Sequence, residues 1–388
     1  MKPLIKLNKQ GLKSFLRGKP WFSKKEIKDF SKYELSIEPG SIVKVFSHQG
    51  VFLGIGYFNP EVFWCLKLLA REDVEVNEQF FYEKFKSALE LRKSFYPNEK
   101  AFRLVFADGD YLPGLIVDVF NRVLVVQTFT KGMEKLLPFV VGALKKLFNP
   151  EAVVLKNDAE KRKEEGLQLY VEVEGKLEEP ILLEMDGIKF LVNFTKAQKT
   201  GFFLDQRENR RYLKNIASEK VIIDAFCYTG GFGFYALKGG AKKVFFLDRS
   251  SLALEVVEEV AKLNGWKDKI ILLEGDVFNL MQGIPQSDIL VLDPPAFIKS
   301  KKHFSEGLKK YKRLYSLALN HIEKGLLFGF SCSSFLKLQD LVSLLSNIGA
   351  YYQRNIKILY TSTHPPDHPV NPFLEESSYL KGVLCYVE

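Results

Sequence analysis

Histidine and methionine are scarce, five and four in 388 residues, and none of the four cysteines forms a C-x-x-C pair. That removes the usual ligand spacing of structural zinc. Cys65, Cys227, Cys332 and Cys385 lie far apart, which argues against a disulfide framework and for a reducing, cytoplasmic compartment. No apolar run is long enough to span a bilayer. The most apolar stretch, 221–237, contains Asp224, Thr229 and three glycines. The opening MKPLIKLNKQ lacks an apolar core of signal-peptide length. Repeats and low-complexity tracts are absent, so neither a solenoid nor a disordered chain is expected.

What remains is a folded chain, 46% hydrophobic and long enough for two or three domains. Its net charge of +9 and pI near 9.0 suit a polyanionic partner, although many basic proteins touch no nucleic acid.

Pattern changes divide the chain. Up to about residue 70, short apolar runs at 41–46, 51–55 and 63–69 are broken by Gly50, Gly54, Gly56 and Asn59-Pro60. That predicts a small compact β domain over 1–72, with a charged linker at 71–77. A central α+β domain follows over 73–180. It has helices at 82–95 and 131–147 and strands at 104–106, 115–119, 123–129, 153–156 and 167–173. From about 181 a hairpin leads into a third domain, 181–388, where near-continuous apolar runs alternate with helical patterns. Runs at 221–224, 243–248, 269–274, 289–293 and 326–331 predict a parallel sheet covered on both faces, an α/β Rossmann-like fold.

Ligands of such sheets bind beyond the carboxyl ends of the strands. After the first run comes Asp224-Ala-Phe-Cys-Tyr-Thr-Gly230-Gly231-Phe-Gly233, whose glycines let a turn pass close under a ligand and open a helix. It is neither the G-x-G-x-x-G of dinucleotide enzymes nor a P-loop. The second run ends in Asp248, placed to accept from ribose hydroxyls. The third leads to Asp276, suited to an adenine amino group, and the fourth to Asp293-Pro294-Pro295-Ala-Phe297. Each acid alone could be a helix cap; four in order on one sheet edge make a site.

This order resembles the class I S-adenosylmethionine-dependent methyltransferase fold. A second motif, Gln198-Lys-Thr-Gly-Phe-Phe-Leu-Asp-Gln-Arg-Glu-Asn-Arg210, is similar to the Q-K-T-G-x-x-x-D-Q-R-x-N-R signature of a family of ribosomal RNA cytosine-C5 methyltransferases. Members carry an N-terminal PUA domain, a central α+β domain and a C-terminal methyltransferase domain. The resemblance runs along the whole chain. It includes Leu16 to Phe22, Gly54 to Pro60, Arg103-Leu-Val, Gly109 to Asp118, and, as the family's last strands, Asp367-His-Pro-Val370 and Glu375 to Gly382. It implies S-adenosylmethionine as cofactor. Gln198, Asp205 and Arg207 would line its pocket, Asp224 and Gly230 its floor, with Asp248 on the ribose and Asp276 on the adenine. It also implies ribosomal RNA as partner, no membrane, and a homodimer.

Carbon 5 of cytosine is too weak a nucleophile to take a methyl group unaided. A thiolate adding at carbon 6 activates it, so the site needs a cysteine and a supporting acid. Phe330-Ser331-Cys332-Ser333-Ser334 ends the fifth run on the same edge, and in the resembled family this S-C-S motif carries the nucleophile. Asp293 would bond the ring nitrogen or exocyclic amine, Phe297 could stack on the extruded base, and Lys299-Ser-Lys-Lys302 is either a solvated charge run or a phosphate contact. A lone cysteine is more often a core residue, the role expected of Cys65 and Cys385, while Cys227 is expected to pack within the cofactor turn. His364-Pro-Pro-Asp-His368 has a zinc-like spacing but no second ligand pair, so no metal is expected. Gly18 to Trp21 with Lys24 and Lys25 forms a basic, aromatic edge suited either to RNA or to packing. Three rival readings are a methyltransferase for an exocyclic amine, one for guanine, and a non-enzymatic RNA-binding protein. Neither rival enzyme has a use for Cys332, and the third would not keep the cofactor residues intact.

Overall fold

The computed structural model describes residues 2–388, which form two compact units. The first runs to Leu183 and includes Val192–Leu204 and Pro366–Ser377. The second comprises Glu184–Leu191, Asp205–Pro365 and Ser378–Glu388.

The first unit holds two five-stranded sheets. Strands β1 (Leu4–Lys6), β2 (Trp21–Phe22), β3 (Ser41–Phe46), β4 (Phe52–Phe58) and β5 (Leu66–Ala70) pair in the order β1-β3-β4-β5-β2, with helices α1 (Lys9–Leu16) and α2 (Phe30–Glu34) between them. Strands β6 (Ala101–Phe106), β7 (Leu115–Phe120), β8 (Val123–Thr128), β9 (Ala152–Asn157) and β10 (Tyr170–Gly175) run in sequence order, all antiparallel except β8 with β9. That parallel pair needs a crossover, supplied by α4 (Lys131–Phe148). Helix α3 (Glu78–Phe95) starts where the Asn77 side chain accepts from Phe80 N, and α4 where Thr130 accepts from Met133 N. Ile55, Tyr57 and Leu69 of the first sheet share one core with Phe81, Phe85, Val117 and Val140. The segment 71–77 is irregular as expected of a linker, but Val76 within it is buried in that core.

A hairpin of β11 (Ile181–Met185) and β12 (Ile188–Val192) precedes the second unit's sheet. That sheet comprises β13 (Val221–Ala225), β14 (Lys243–Asp248), β15 (Ile270–Glu274), β16 (Ile289–Leu292), β17 (Gly325–Ser331), β18 (Ile356–Ser362) and β19 (Lys381–Val387), in the order β15-β14-β13-β16-β17-β19-β18. The first five are parallel, and β19 runs antiparallel between β17 and β18. Helices α5 (Arg207–Ile216), α6 (Gly231–Lys238), α7 (Ser251–Leu263), α8 (Val277–Leu280), α9 (Phe304–His321) and α10 (Leu338–Tyr351) accompany it. Apolar residues of β13, β14, β16 and β17 with α9 and α10 make the unit's core.

The last strands are not where the family resemblance suggested. Asp367 to Val370 is loop, and Glu375 to Leu380 is a short 3-10 turn and loop; the strands are β18 and β19. Residues 367–370 instead belong to the first unit. There Asp367 accepts from Arg103 N at 3.1 Å through its carboxylate and from Arg92 Nη2 at 3.1 Å through its carbonyl. Pro369 and a buried carboxylate bonded to Arg103 N and the His368 ring suit a packed loop, not a ladder.

Among the described residues, no helix is long and apolar enough to cross a membrane.

Candidate active site

The switch point of the sheet lies between β13 and β16, where strand order reverses, so the loops after these two strands form the expected ligand crevice. Asp224 on β13 is 1% exposed. One carboxylate oxygen accepts from Gly233 N at 2.8 Å; the other is buried with no hydrogen-bond partner among the described residues. Burial, with the nearby Asp293 charge adding to it, pushes this carboxyl up to about 7. A buried acceptor without a donor costs free energy and marks a place where a ligand's ammonium or hydroxyl would be bound.

The turn after β13 is held in a strained shape. Phe226 and Tyr228 both take left-handed backbone angles, φ 63° and 49°, at a cost of about 1–2 kcal/mol each. Cys227 N donates to Leu247 O and Tyr228 N to Asp248 Oδ2, so the end of β14 fixes the conformation. Gly230 follows at φ 80°. A Cβ there would lie 2.7 Å from the Phe234 ring and 2.9 Å from that of Phe246, so this glycine is required by helix–strand packing as well as by the turn.

Asp248, half-buried, accepts from Tyr228 N and Ser250 N at 2.9 Å each, leaving its outer lone pairs for a diol. Asp276 is exposed and caps α8 through Phe278 N at 2.9 Å. Asp205 and Arg207 are buried at the start of α5, where Tyr379 Oη donates to Asp205 at 2.6 Å. Gln198 is exposed and falls in the 192–204 segment of the first unit.

Three residues absent from the sequence-based set belong here. Gln206 Nε2 donates to Asp293 Oδ1 at 3.0 Å, and Gln206 Oε1 accepts from Asn209 Nδ2 at 2.6 Å, which orients the Asp293 carboxylate. Arg210, 5% exposed, feels the charges of Asp205, Asp293 and Asp224. All three lie within the Q-K-T-G motif, but their partners far along the chain are visible only in three dimensions.

Cys332 follows β17 and is half-buried. Its sulfur lies 3.9 Å from Pro294 O, so the thiol abuts the Asp293-Pro294 turn. The serines on either side of it are anchors. Tyr311 Oη bonds Ser331 Oγ at 2.8 Å and Ser333 Oγ at 3.1 Å, Ile298 N donates to Ser333 Oγ at 3.2 Å, and Lys381 Nζ donates to Ser333 O at 2.7 Å. Helix α9, the Asp-Pro-Pro loop and β19 thus clamp one tripeptide. The other thiols are buried as expected: burial pushes Cys65 and Cys385 up to about 12 and Cys227 well above the ordinary range.

Phe297 packs its ring 4.9 Å from Tyr311 and 6.2 Å from Phe278, while Lys299 two residues on is exposed. No group of three or more His, Cys, Asp or Glu among the described residues is arranged to hold a metal. His364 Nε2 accepts from Tyr379 N and Leu380 N, and His368 Nδ1 meets Asp367 at 2.8 Å. In the N-terminal edge, Lys19 pairs with Glu26 and covers the Trp64 ring, and Trp21 Nε1 donates to Asp108 at 2.6 Å, so both residues pack; Lys25 and Lys28 are exposed.

Residues 171–327 match the S-adenosylmethionine-dependent methyltransferase family and residues 5–71 the PUA-like domain family. Sheet order and matched segment together define the class: the protein is a methyltransferase that uses S-adenosylmethionine. A Streptococcus mutans protein described as a methyltransferase of this kind shares the fold across 99% of this chain and 100% of its own, with a TM-score of 0.82 at 22% identity. Ribosomal RNA large subunit methyltransferase I of Vibrio parahaemolyticus is 33% identical over the full length of both chains, and that of Pseudoalteromonas atlantica 32% over 97% of each. The chain belongs to the ribosomal RNA large subunit methyltransferase I family.

The residues present fit the cofactor. The buried, partnerless oxygen of Asp224 would offer an acceptor to its ammonium, and Asp248 and Asp276 would offer carboxylates to its diol and adenine.

Proposed function

We propose that this chain methylates carbon 5 of a cytosine in large-subunit ribosomal RNA through a transient bond to Cys332. The observation that carries the reading is the contrast among thiols. Three are buried, Cys65 and Cys385 in cores and Cys227 in the turn after β13, and the fourth stands half-exposed beside the Asp293-Pro294 turn at the carboxyl edge of the sheet. The relatives named as ribosomal RNA methyltransferases supply the substrate class.

Bound S-adenosylmethionine supplies an electrophilic methyl on a sulfonium. Asp205, Arg207, Asp224, Gly230, Asp248 and Asp276 are assigned to holding it. The Cys332 thiolate donates an electron pair to carbon 6, forming a C–S bond, and the 5,6 π pair moves to carbon 5. That pair would take the methyl, with the electrons of the methyl–sulfur bond left on the thioether. A base then removes the proton from carbon 5, the double bond re-forms, and the thiolate leaves. Asp293, oriented by Gln206, would hydrogen-bond the ring nitrogen or exocyclic amine and stabilise charge on the pyrimidine. Phe297 is assigned to the flipped base and Lys299 to phosphate, with the exposed lysines beside the first sheet, Lys25 and Lys28 among them, as an RNA-binding surface.

Cys332→Ala should lower methyl transfer by more than about 1000-fold while cofactor affinity, read by calorimetry, changes little. Nucleoside mapping of ribosomal RNA by mass spectrometry should then lose one 5-methylcytidine. Persistent 5-methylcytidine in the alanine variant, or a methylated guanine in its place, would refute the mechanism.

A further inference from the structure

Three lysines are buried among the described residues, and two of them have a carboxylate: Lys67 meets Glu165 at 3.2 Å, and Lys156 pairs with Asp158. Lys381, 6% exposed, is held differently. Its Nζ donates to two neutral carbonyls, Ser333 O at 2.7 Å and Tyr379 O at 2.8 Å. An ammonium has three N–H donors, so one is left over. Burying a cation with no carboxylate bonded to it costs several kcal/mol and is rarely kept without a use.

The position of Lys381 says what the use is. On β19 it stands directly opposite Ser331 of β17, the residue before Cys332, and its first acceptor is the carbonyl of the residue after Cys332. The cysteine's backbone is thus flanked on both sides by contacts to this one lysine. We propose that Lys381 is the cationic partner of the Cys332 thiolate, a positioning residue that stabilises the negative sulfur before it adds to the base and again when it leaves. The assignment rests on the nucleophilic role of Cys332 put forward above.

The electrostatics agree. Burial lowers the Lys381 ammonium to about 8, and the charges that act against this are those of Cys332 and of Asp340 at the start of α10. Tyr311, which burial holds protonated, also acts on the thiol, and Asp293 lies on the adjacent turn. Below about pH 8 Lys381 is therefore charged, and its ammonium is bonded to the S-C-S segment itself. A thiolate beside such a cation is favoured over the thiol, as in other activated cysteines.

The test is the pH dependence of Cys332 alkylation by iodoacetamide in the intact, cofactor-free protein, followed by peptide mass spectrometry. Cys65, Cys227 and Cys385 are buried and serve as slow internal references. In the wild-type protein the inflection should fall on the acid side of an ordinary thiol, about 8.5. Lys381→Met should move it to the alkaline side and slow alkylation at pH 7 about 10-fold, and Lys381→Arg should keep most of the wild-type rate. If Lys381 only packs, the Met variant would lose thermal stability with the inflection unmoved, which would overturn the proposal. A wild-type inflection at or above the ordinary value would overturn it without any variant having to fold. Methyl transfer persisting in Cys332→Ala would instead sink the nucleophile reading and leave the alkylation result standing.

Discussion

Asp224 shows how one carboxylate can serve a ligand at the expense of the empty fold. Its pKa is raised by burial to about 7, above the value of about 4 it would have in the unfolded chain. A raised carboxylate contributes stability in full below the unfolded value and loses it as pH climbs through the folded one. Ligand-free wild-type protein should therefore lose stability between about pH 5 and 8 relative to Asp224→Asn, which cannot ionise. Melting temperatures of the two proteins at both pH values check this. The difference should shift in favour of the variant at the higher pH, while its cofactor affinity falls about 10-fold or more. A pH-independent difference would mean that Asp224 is already ionised and satisfied in the empty protein.

Some site residues were legible at this scale and some were not. Asp224, Asp248, Asp276, Asp293 and Cys332 each end or follow an apolar run, so their order along the chain puts them on one edge. Lys381 opens a strand and reads as an ordinary solvated lysine; only the β17–β19 register brings it beside Ser331. Tyr311 lies mid-helix on α9, and Tyr379 in a loop, with nothing local to mark either.

At the scale of elements, several residues of the motifs that carry the family resemblance prove to be joints. Arg103 makes a two-pronged ion pair with Asp118 across β6 and β7, both bonds 2.7 Å, and Arg92 of α3 does the same with Asp110 at 2.6 Å. Asp367 then accepts from Arg103 N, and a Cβ on Gly109 would sit 1.9 Å from Pro369 O. Residues from four stretches of sequence thus close one knot. Gly109→Ala should cost about 1–3 kcal/mol in denaturant unfolding, the usual toll of overpacking against backbone. An unchanged midpoint would mean the loop shifts aside freely. The parallel strands were readable because β13, β14 and β16 are near-continuous apolar runs buried on both faces. Strand β18 was not, because it is an edge with Lys357, Ile358 and Leu359 exposed and no clear period. Strands β1 and β2, three and two residues long, are too short to leave a pattern.

At the scale of the whole molecule, the +9 charge suits a polyanion, and exposed lysines on the helices and loops beside the first sheet, Lys13, Lys25, Lys28 and Lys32, are candidate carriers. Removing that sheet outright would strip Ile55, Tyr57 and Leu69 from a core shared with α3 and α4, so weaker RNA binding by a truncated chain would say little. Charge reversal is the cleaner probe. Lys25→Glu with Lys28→Glu should weaken RNA affinity and reduce the slope of log K against log salt by about 1 for each phosphate no longer neutralised. A slope that does not move would place the RNA-binding surface elsewhere.

Catalysis, on this reading, turns on a covalent bond between sulfur and a pyrimidine. Ribosomal RNA carrying 5-fluorocytosine cannot lose the substituent at carbon 5, so the enzyme should be trapped on it in the presence of S-adenosylmethionine. Denaturing gels should show a protein–RNA adduct for the wild type and none for Cys332→Ala, with mass spectrometry locating the bond at Cys332. No adduct on an RNA that the enzyme demonstrably methylates, or an adduct that survives in the alanine variant, would contradict the account.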